Sequence, residues 1–226
     1  MVVKQNSQYT FKYNKKLGRH GWLRLTPAYS VKMVEHILNV SLHNSMSVFA
    51  NTFQPFDTLI TSPPYPNRIS YIRELRPYMY WLGYLNTPDD ASNLDWNTIG
   101  GTWGSATSKL STWKKQTNLL PDYLFNIADN ISKAENRSAG LMANYVLKYF
   151  DDMAIHIQSV YNAIQPGGTV HYIVGNSNFY GNSVPSEKIY TDILSSVGFA
   201  NAKYTVVRKR NCNKALFEYW ISAKKV

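Results

Sequence analysis

At 226 residues the chain has the length of one domain with room for an inserted subregion, and its 44% hydrophobic content is enough for a core. A single cysteine, Cys212, excludes a disulfide frame and a cysteine-based metal site, and no apolar stretch of signal or membrane length is present, so the expected setting is cytoplasmic with no membrane partner. The net charge of +10, from 24 basic against 14 acidic residues, favours a polyanionic partner, and interleaved aromatics (six Trp, seventeen Tyr) tilt that partner toward nucleic acid.

The first 24 residues are polar and basic with scattered aromatics and predict irregular structure. Thr26-Pro27 then reads as a helix cap followed by proline at the first helical position, and Val31, Val34 and Leu38 give the stripe of a helix over 27–40. No glycine occurs between Gly21 and Gly83. An apolar run over 58–61 predicts a strand that ends in Ser62-Pro63-Pro64-Tyr65, because each proline fixes φ and removes a backbone donor. Residues 68–76 predict a short helix interrupted by Pro77, and the apolar run 78–85 predicts core. Arg68, Arg73 and Arg76 are candidates either for phosphate contact or for solvated ion pairs.

Residues 86–140 are polar and weakly periodic, an insertion that either faces substrate or is an ordinary surface excursion. Within it Gly100-Gly101 reads as a surface loop, and Lys109, Trp113, Lys114 and Lys115 are the candidates for nucleic-acid contact. The clearest element is a helix over 141–165, stopped by Pro166-Gly167-Gly168 and followed by a buried strand over 169–174. At that strand's carboxyl end, Asn176 and Ser177 either bind substrate or satisfy the turn. A helix over 186–197 ends at Gly198, and strands over 202–210 and 216–224 are close enough to form an antiparallel hairpin. Arg208, Lys209 and Arg210 with Lys214 make the densest positive cluster.

Thr61-Ser62-Pro63-Pro64-Tyr65 resembles the catalytic motif of amino-methylating DNA methyltransferases, especially those acting on N4 of cytosine. The resemblance extends to residues 19–38, to the segment 66–85 after the motif, to the helix–Pro-Gly-Gly–strand passage and to 174–181 and 208–214. It implies an α/β, Rossmann-like methyltransferase sheet closed by a C-terminal antiparallel hairpin, in a single domain spanning 1–226 with 86–140 as a target-recognition insertion. It also implies S-adenosylmethionine as donor and a flipped-out DNA base as substrate, with Pro27 and Lys32 near the cofactor. Ser62 and the Pro63 carbonyl would hold the amine hydrogens, and Tyr65 would stack on the base. Serine before Pro-Pro favours cytosine N4 over adenine N6, and Cys212 lies outside any motif for methylation at carbon.

One part of the family pattern is missing. The Phe-x-Gly-x-Gly loop that brings backbone close to the cofactor has no counterpart, as if the first strands of the sheet had been excised near residue 40. A truncated remnant that binds DNA, or a half completed by a separate cofactor-binding chain, is the alternative to an active enzyme. An RNA methyltransferase is a third.

Overall fold

The computed structural model describes residues 56–66, 71–101, 107–210 and 216–226. The expected helix over 27–40, with Pro27 and Lys32, lies outside them, as do Arg68, Cys212 and Lys214. Two compact units are present, Met1–His43 with Leu75–Asn86, and Asn44–Glu74 with Thr87–Val226.

In the smaller unit the described residues are the later turns of helix α1 (Tyr71–Trp81) and its exit. Pro77 lies inside this helix, which corrects the expected interruption. Proline's fixed φ is close to the helical value, so the ring removes one hydrogen bond without forbidding the conformation. Gly83, at φ +77°, ends the segment with its N–H on the Tyr80 carbonyl. The apolar run is not uniformly core: Trp81, Leu82 and Tyr84 are exposed, whereas Leu85 is buried. The run crosses the helix end, so its side chains do not share one face.

The larger unit is mixed α/β. Strand β1 (Phe56–Thr61) begins it, followed by helices α2 (Pro88–Asn97), α3 (Thr107–Ser111), α4 (Asp122–Ser132) and α5 (Ala139–Ala163). Strand β2 (Ile164–Gly175) leads through a small ribbon, β3 (Ser177–Phe179) and β4 (Asn182–Val184), to helix α6 (Ser186–Val197). Strands β5 (Phe199–Lys209) and β6 (Phe217–Lys225) close the chain as the expected antiparallel hairpin. The sheet order is β1-β2-β6-β5, with β1 and β2 parallel and the other neighbours antiparallel.

The parallel pair fixes where chemistry is possible. Thr61 lies opposite Tyr172, so β1 and β2 both release the chain at the same sheet edge. The Pro-Gly-Gly passage sits at the other end, inside the irregular start of β2. There a Cβ on Gly168 would approach the Asp57 carbonyl to 2.7 Å, so only glycine lets β1 draw alongside.

Helix α5 supplies the core, with Val146, Phe150, Met153, Ala154 and Ile157 fully buried on its inner face. Its last turn is capped by the Lys225 ammonium, which donates to the carbonyls of Tyr161 (2.6 Å) and Ile164 (2.8 Å). The region 86–140 folds largely against α5. Leu110, Leu124, Ala128 and Ile131 join the core, and a capping box between Thr87 and Asp90 starts α2. The buried Asp151 carboxylate accepts from the Gln116 N–H (2.6 Å), the Thr117 N–H (3.0 Å) and the Thr117 hydroxyl (2.6 Å), tying the 112–121 segment to α5.

Candidate active site

Two prolines after β1 hold the chain extended at the shared sheet edge, and every polar group of the turn that has a described partner is bound by a different element. The Ser62 hydroxyl donates to the Ile173 carbonyl of β2 at 3.2 Å. Its proton is thereby committed, and the oxygen keeps lone pairs to accept from an incoming N–H. The Pro64 carbonyl accepts from the Tyr149 hydroxyl of α5 at 2.6 Å, and Tyr149 pairs with the Tyr190 hydroxyl of α6 at 2.8 Å. Both tyrosines are buried, and burial raises the Tyr149 hydroxyl far above its ordinary range, so it stays protonated and able to donate.

Tyr65 is held on three sides. Its ring lies against Gly175, where a Cβ would meet Cδ2 and Cε2 at 3.0 Å. The Arg210 guanidinium stands over the ring, 5.4 Å from its centroid. The Tyr65 hydroxyl bonds the Glu218 carboxylate, which also takes a bidentate pair from Arg208 (2.6 and 3.1 Å). Hydrogen bonding from Arg208 is the main cause that lowers the Glu218 carboxyl below its ordinary value, with the Arg210 charge and Tyr65 adding to it.

Beside the turn is a cleft of about 240 Å³, lined by Thr61, Ser62, Pro63, Pro64, Thr98, Ile99, Met153 and His156. Helix α5 contributes Met153 and His156 to this lining, and the exit of α2 contributes Thr98 and Ile99 as a second wall. Gly100 (φ +73°) brings that wall against the turn, since a Cβ there would reach Pro64 Cβ at 3.1 Å. Gly100 therefore packs on the turn itself, and both glycines of the pair are partly exposed. His156 Nε2 meets the Tyr172 hydroxyl at 3.1 Å, so the imidazole is oriented from beneath by β2.

The predicted site residues fall into three groups. Ser62, Pro63, Pro64 and Tyr65 stand together with Asn176, Arg208 and Arg210 around the ends of β1, β2 and the hairpin. Asn176 is spent on structure there, its side chain accepting from the Phe217 N–H (2.8 Å) and its carbonyl from Arg210 Nη1 (3.4 Å). Lys209 alternates to the opposite side of β5 from Arg208, and Lys114 and Arg73 are exposed in the 112–121 segment and on α1. Pro27, Lys32, Arg68 and Lys214 lie outside the described residues. No site role is legible in the sequence for Tyr149, Tyr190, His156 or Glu218, and Gly100 is read there as part of a surface loop. Only the glycine pair left a local signal; the others are ordinary helix or strand residues until the fold joins them to the turn.

The arrangement, a hydroxyl-bearing Pro-Pro turn at the carboxyl edge of parallel strands beside a cleft of about 240 Å³, has the form of a ligand site in an α/β fold. In sequence the chain is similar to the Type II methyltransferase M.BsoBI of Geobacillus stearothermophilus, 23% identical over 185 residues, covering 71% of this chain and 34% of that protein. That match takes in most of this chain, which spans about a third of the length of the relative. Among solved structures, a candidate DNA modification methylase from Thermus thermophilus, complexed with S-adenosyl-L-methionine, aligns with a TM-score of 0.41 at 14% identity over 81% of this chain and 51% of that one. Its selenomethionine derivative aligns with a TM-score of 0.32 at 18% identity over 53% and 50%. No protein-family model matches.

Proposed function

We propose that this chain is an S-adenosylmethionine-dependent DNA methyltransferase acting on an exocyclic amine, with cytosine N4 as the acceptor, in a cytoplasmic restriction-modification setting. The observation that carries this reading is the Ser62 hydroxyl, whose proton is committed to the Ile173 carbonyl, on the rim of a cleft of about 240 Å³. An exocyclic amine is a weak nucleophile because its lone pair is delocalised into the ring. Ser62 Oγ and the Pro63 carbonyl both accept, so together they hold the two amine hydrogens and favour a pyramidal nitrogen. Tyr65 supplies a fixed aromatic surface for the base, a contact worth about 1–3 kcal/mol. The gain is one of orientation, with no covalent intermediate on the protein.

S-adenosylmethionine, when bound, supplies the electrophilic methyl group. The cleft's own lining fits a base better than the donor, because it holds two hydroxyl-bearing threonines, a serine and an imidazole but no carboxylate for ribose hydroxyls. Pro27 and Lys32 are the residues proposed to hold the donor. Phosphate contacts are assigned to Lys114, Lys209, Arg68, Arg73 and Lys214, with Arg208 and Arg210 serving the Tyr65 cluster.

The test is methyl transfer from labelled donor into matched DNA and RNA duplexes, followed by nucleoside analysis. N4-methyldeoxycytidine is expected, and its loss in Ser62→Ala and Tyr65→Ala. Methylated RNA alone would move the acceptor class, and no transfer by folded protein with no donor binding would overturn the assignment.

A second reading is favoured by Ile60, the penultimate residue of β1, which is 76% exposed. A strand paired in parallel is ordinarily covered on both faces. In this reading a separate cofactor-binding chain covers β1, and the present chain holds DNA without catalysing transfer alone. Methylation of DNA by this chain unaided removes it.

A further inference from the structure

The buried pair Tyr149–Tyr190 has no part in holding a base, yet it ends on the backbone of the turn. A carbonyl oxygen can only accept, so in the 2.6 Å contact Tyr149 must donate to Pro64. Its single proton is then spent, and the 2.8 Å contact requires Tyr190 to donate to Tyr149. The chain Tyr190→Tyr149→Pro64 therefore has one direction and crosses from α6 through α5 to the end of β1.

This chain acts on the one torsion that the sequence leaves open. Proline fixes φ at position 64, but ψ is set only by what holds the Pro64 carbonyl. With the carbonyl bonded and Gly100 packed against Pro64 Cβ, both torsions of Pro64 are fixed and the Cα of Tyr65 is placed. The donors are themselves rigid. Tyr149 and Tyr190 pack edge-to-face with Phe150, at ring distances of 4.9 and 6.2 Å, and Tyr190 is braced by Tyr172 at 5.7 Å.

We infer that Tyr149, oriented by Tyr190, is a positioning residue that sets the direction of Tyr65 by anchoring the Pro64 carbonyl. As a statement about methyl transfer this rests on the function proposed above; as a statement about the turn it does not.

Tyr149→Phe keeps the ring and removes the donor. The expected result is a fall in kcat of about 10- to 100-fold, the scale of a misplaced reacting group, with the KM for DNA nearly unchanged. Tyr190→Phe leaves Tyr149 its donor role and lowers kcat less. Labelling proline carbonyls with carbon-13 and tyrosine amides with nitrogen-15 isolates two peptides, Pro64–Tyr65 and Pro77–Tyr78. In Tyr149→Phe the first carbonyl resonance should shift as its hydrogen bond is lost while the second stays in place. Wild-type resonance at Pro64 with wild-type kcat overturns the inference. Should the wild type transfer no methyl group, the functional reading falls and the Pro64 resonance alone decides the anchor.

Discussion

Gly175 and Tyr65 exclude each other's freedom: the ring of Tyr65 occupies the space that a side chain at position 175 would need. A Cβ there would lie 3.0 Å from two ring carbons and 3.2 Å from Arg210 Nη1. The requirement is for space, and the atoms that would have to yield are those that fix Tyr65. Gly175→Ala is therefore expected to displace the ring and the guanidinium, at about 1–3 kcal/mol of stability for an overpacked site. Turnover should fall by more than about ten-fold, because a shift of the stacking surface misorients the base. Thermal unfolding and methyl-transfer kinetics on the same preparation separate the two effects, and wild-type turnover in the Gly175→Ala variant would show that the ring position is not critical.

Glu218 links the two arginines of the hairpin to Tyr65, and its carboxyl lies below the ordinary value chiefly through its hydrogen bonds from Arg208. A carboxyl lowered in the fold stabilises the folded state above its unfolded pKa of about 4.3, and that contribution disappears as pH falls through the lower folded value. Arg208 is 70% exposed, so solvent screens the pair and the effect is small. Comparison of Glu218→Gln with wild type should give unfolding midpoints that differ near neutrality and converge in acid. At neutral pH the same variant should lower turnover, since the Tyr65 hydroxyl loses its carboxylate partner. Midpoints that differ equally at every pH would place the effect outside this ionisation.

Much of this architecture is written locally. Strand β1 and its proline stop, the long helix α5, helix α6 with its Gly198 exit and the closing hairpin all follow from periodicity and turn chemistry. Their observed bounds differ from the expected ones by a few residues. The region 86–140 was harder to read because its helices are short and each contributes only one to three buried residues, too few for a stripe. The supports of the turn were not legible for a different reason. Tyr149 and Tyr190 look like core aromatics, and only the packing of α5 and α6 beneath the sheet edge brings their hydroxyls to Pro64. Arg208 and Arg210 showed the reverse: a basic cluster in sequence becomes, through Glu218 and Tyr65, part of the turn's scaffold.

Asp151 tests how the 112–121 segment is held. Its carboxylate is fully buried and accepts three hydrogen bonds from Gln116 and Thr117. Hydrogen bonds to a charged group contribute about 1.5–3 kcal/mol each, and truncation leaves the part-buried Gln116 and Thr117 N–H groups without their acceptor. Asp151→Ala should cost about 3 kcal/mol or more, read as a lower denaturant midpoint, and should increase proteolytic cleavage between Thr112 and Leu119. A variant cleaved no faster than wild type would mean that the segment is anchored by its apolar contacts instead.

Its neighbour Asp152 carries the opposite pH signature to Glu218. Burial is the largest influence and lifts the carboxyl to about 6, against the attraction of Lys148 at 2.5 Å, while the charge of Asp151 adds to the rise. Lys148 divides its donors between Asp152 and the Trp96 carbonyl (3.2 Å) and stands 4.7 Å from the centre of the Trp96 ring, so the ion pair does not offset the loss of water. A carboxyl raised in the fold holds its proton at pH values where the unfolded chain has released it. Stability from this group is thus fully present below about pH 4 and is lost as pH rises through about 6. Unfolding midpoints of wild type and Asp152→Asn, measured from about pH 4 to about pH 7, should show a decline with rising pH in the wild type that is absent or shallower in the variant. The asparagine keeps the shape and an acceptor for Lys148, so the comparison isolates ionisation from packing. Parallel curves would mean that Asp152 ionises in the folded protein as readily as in the unfolded chain.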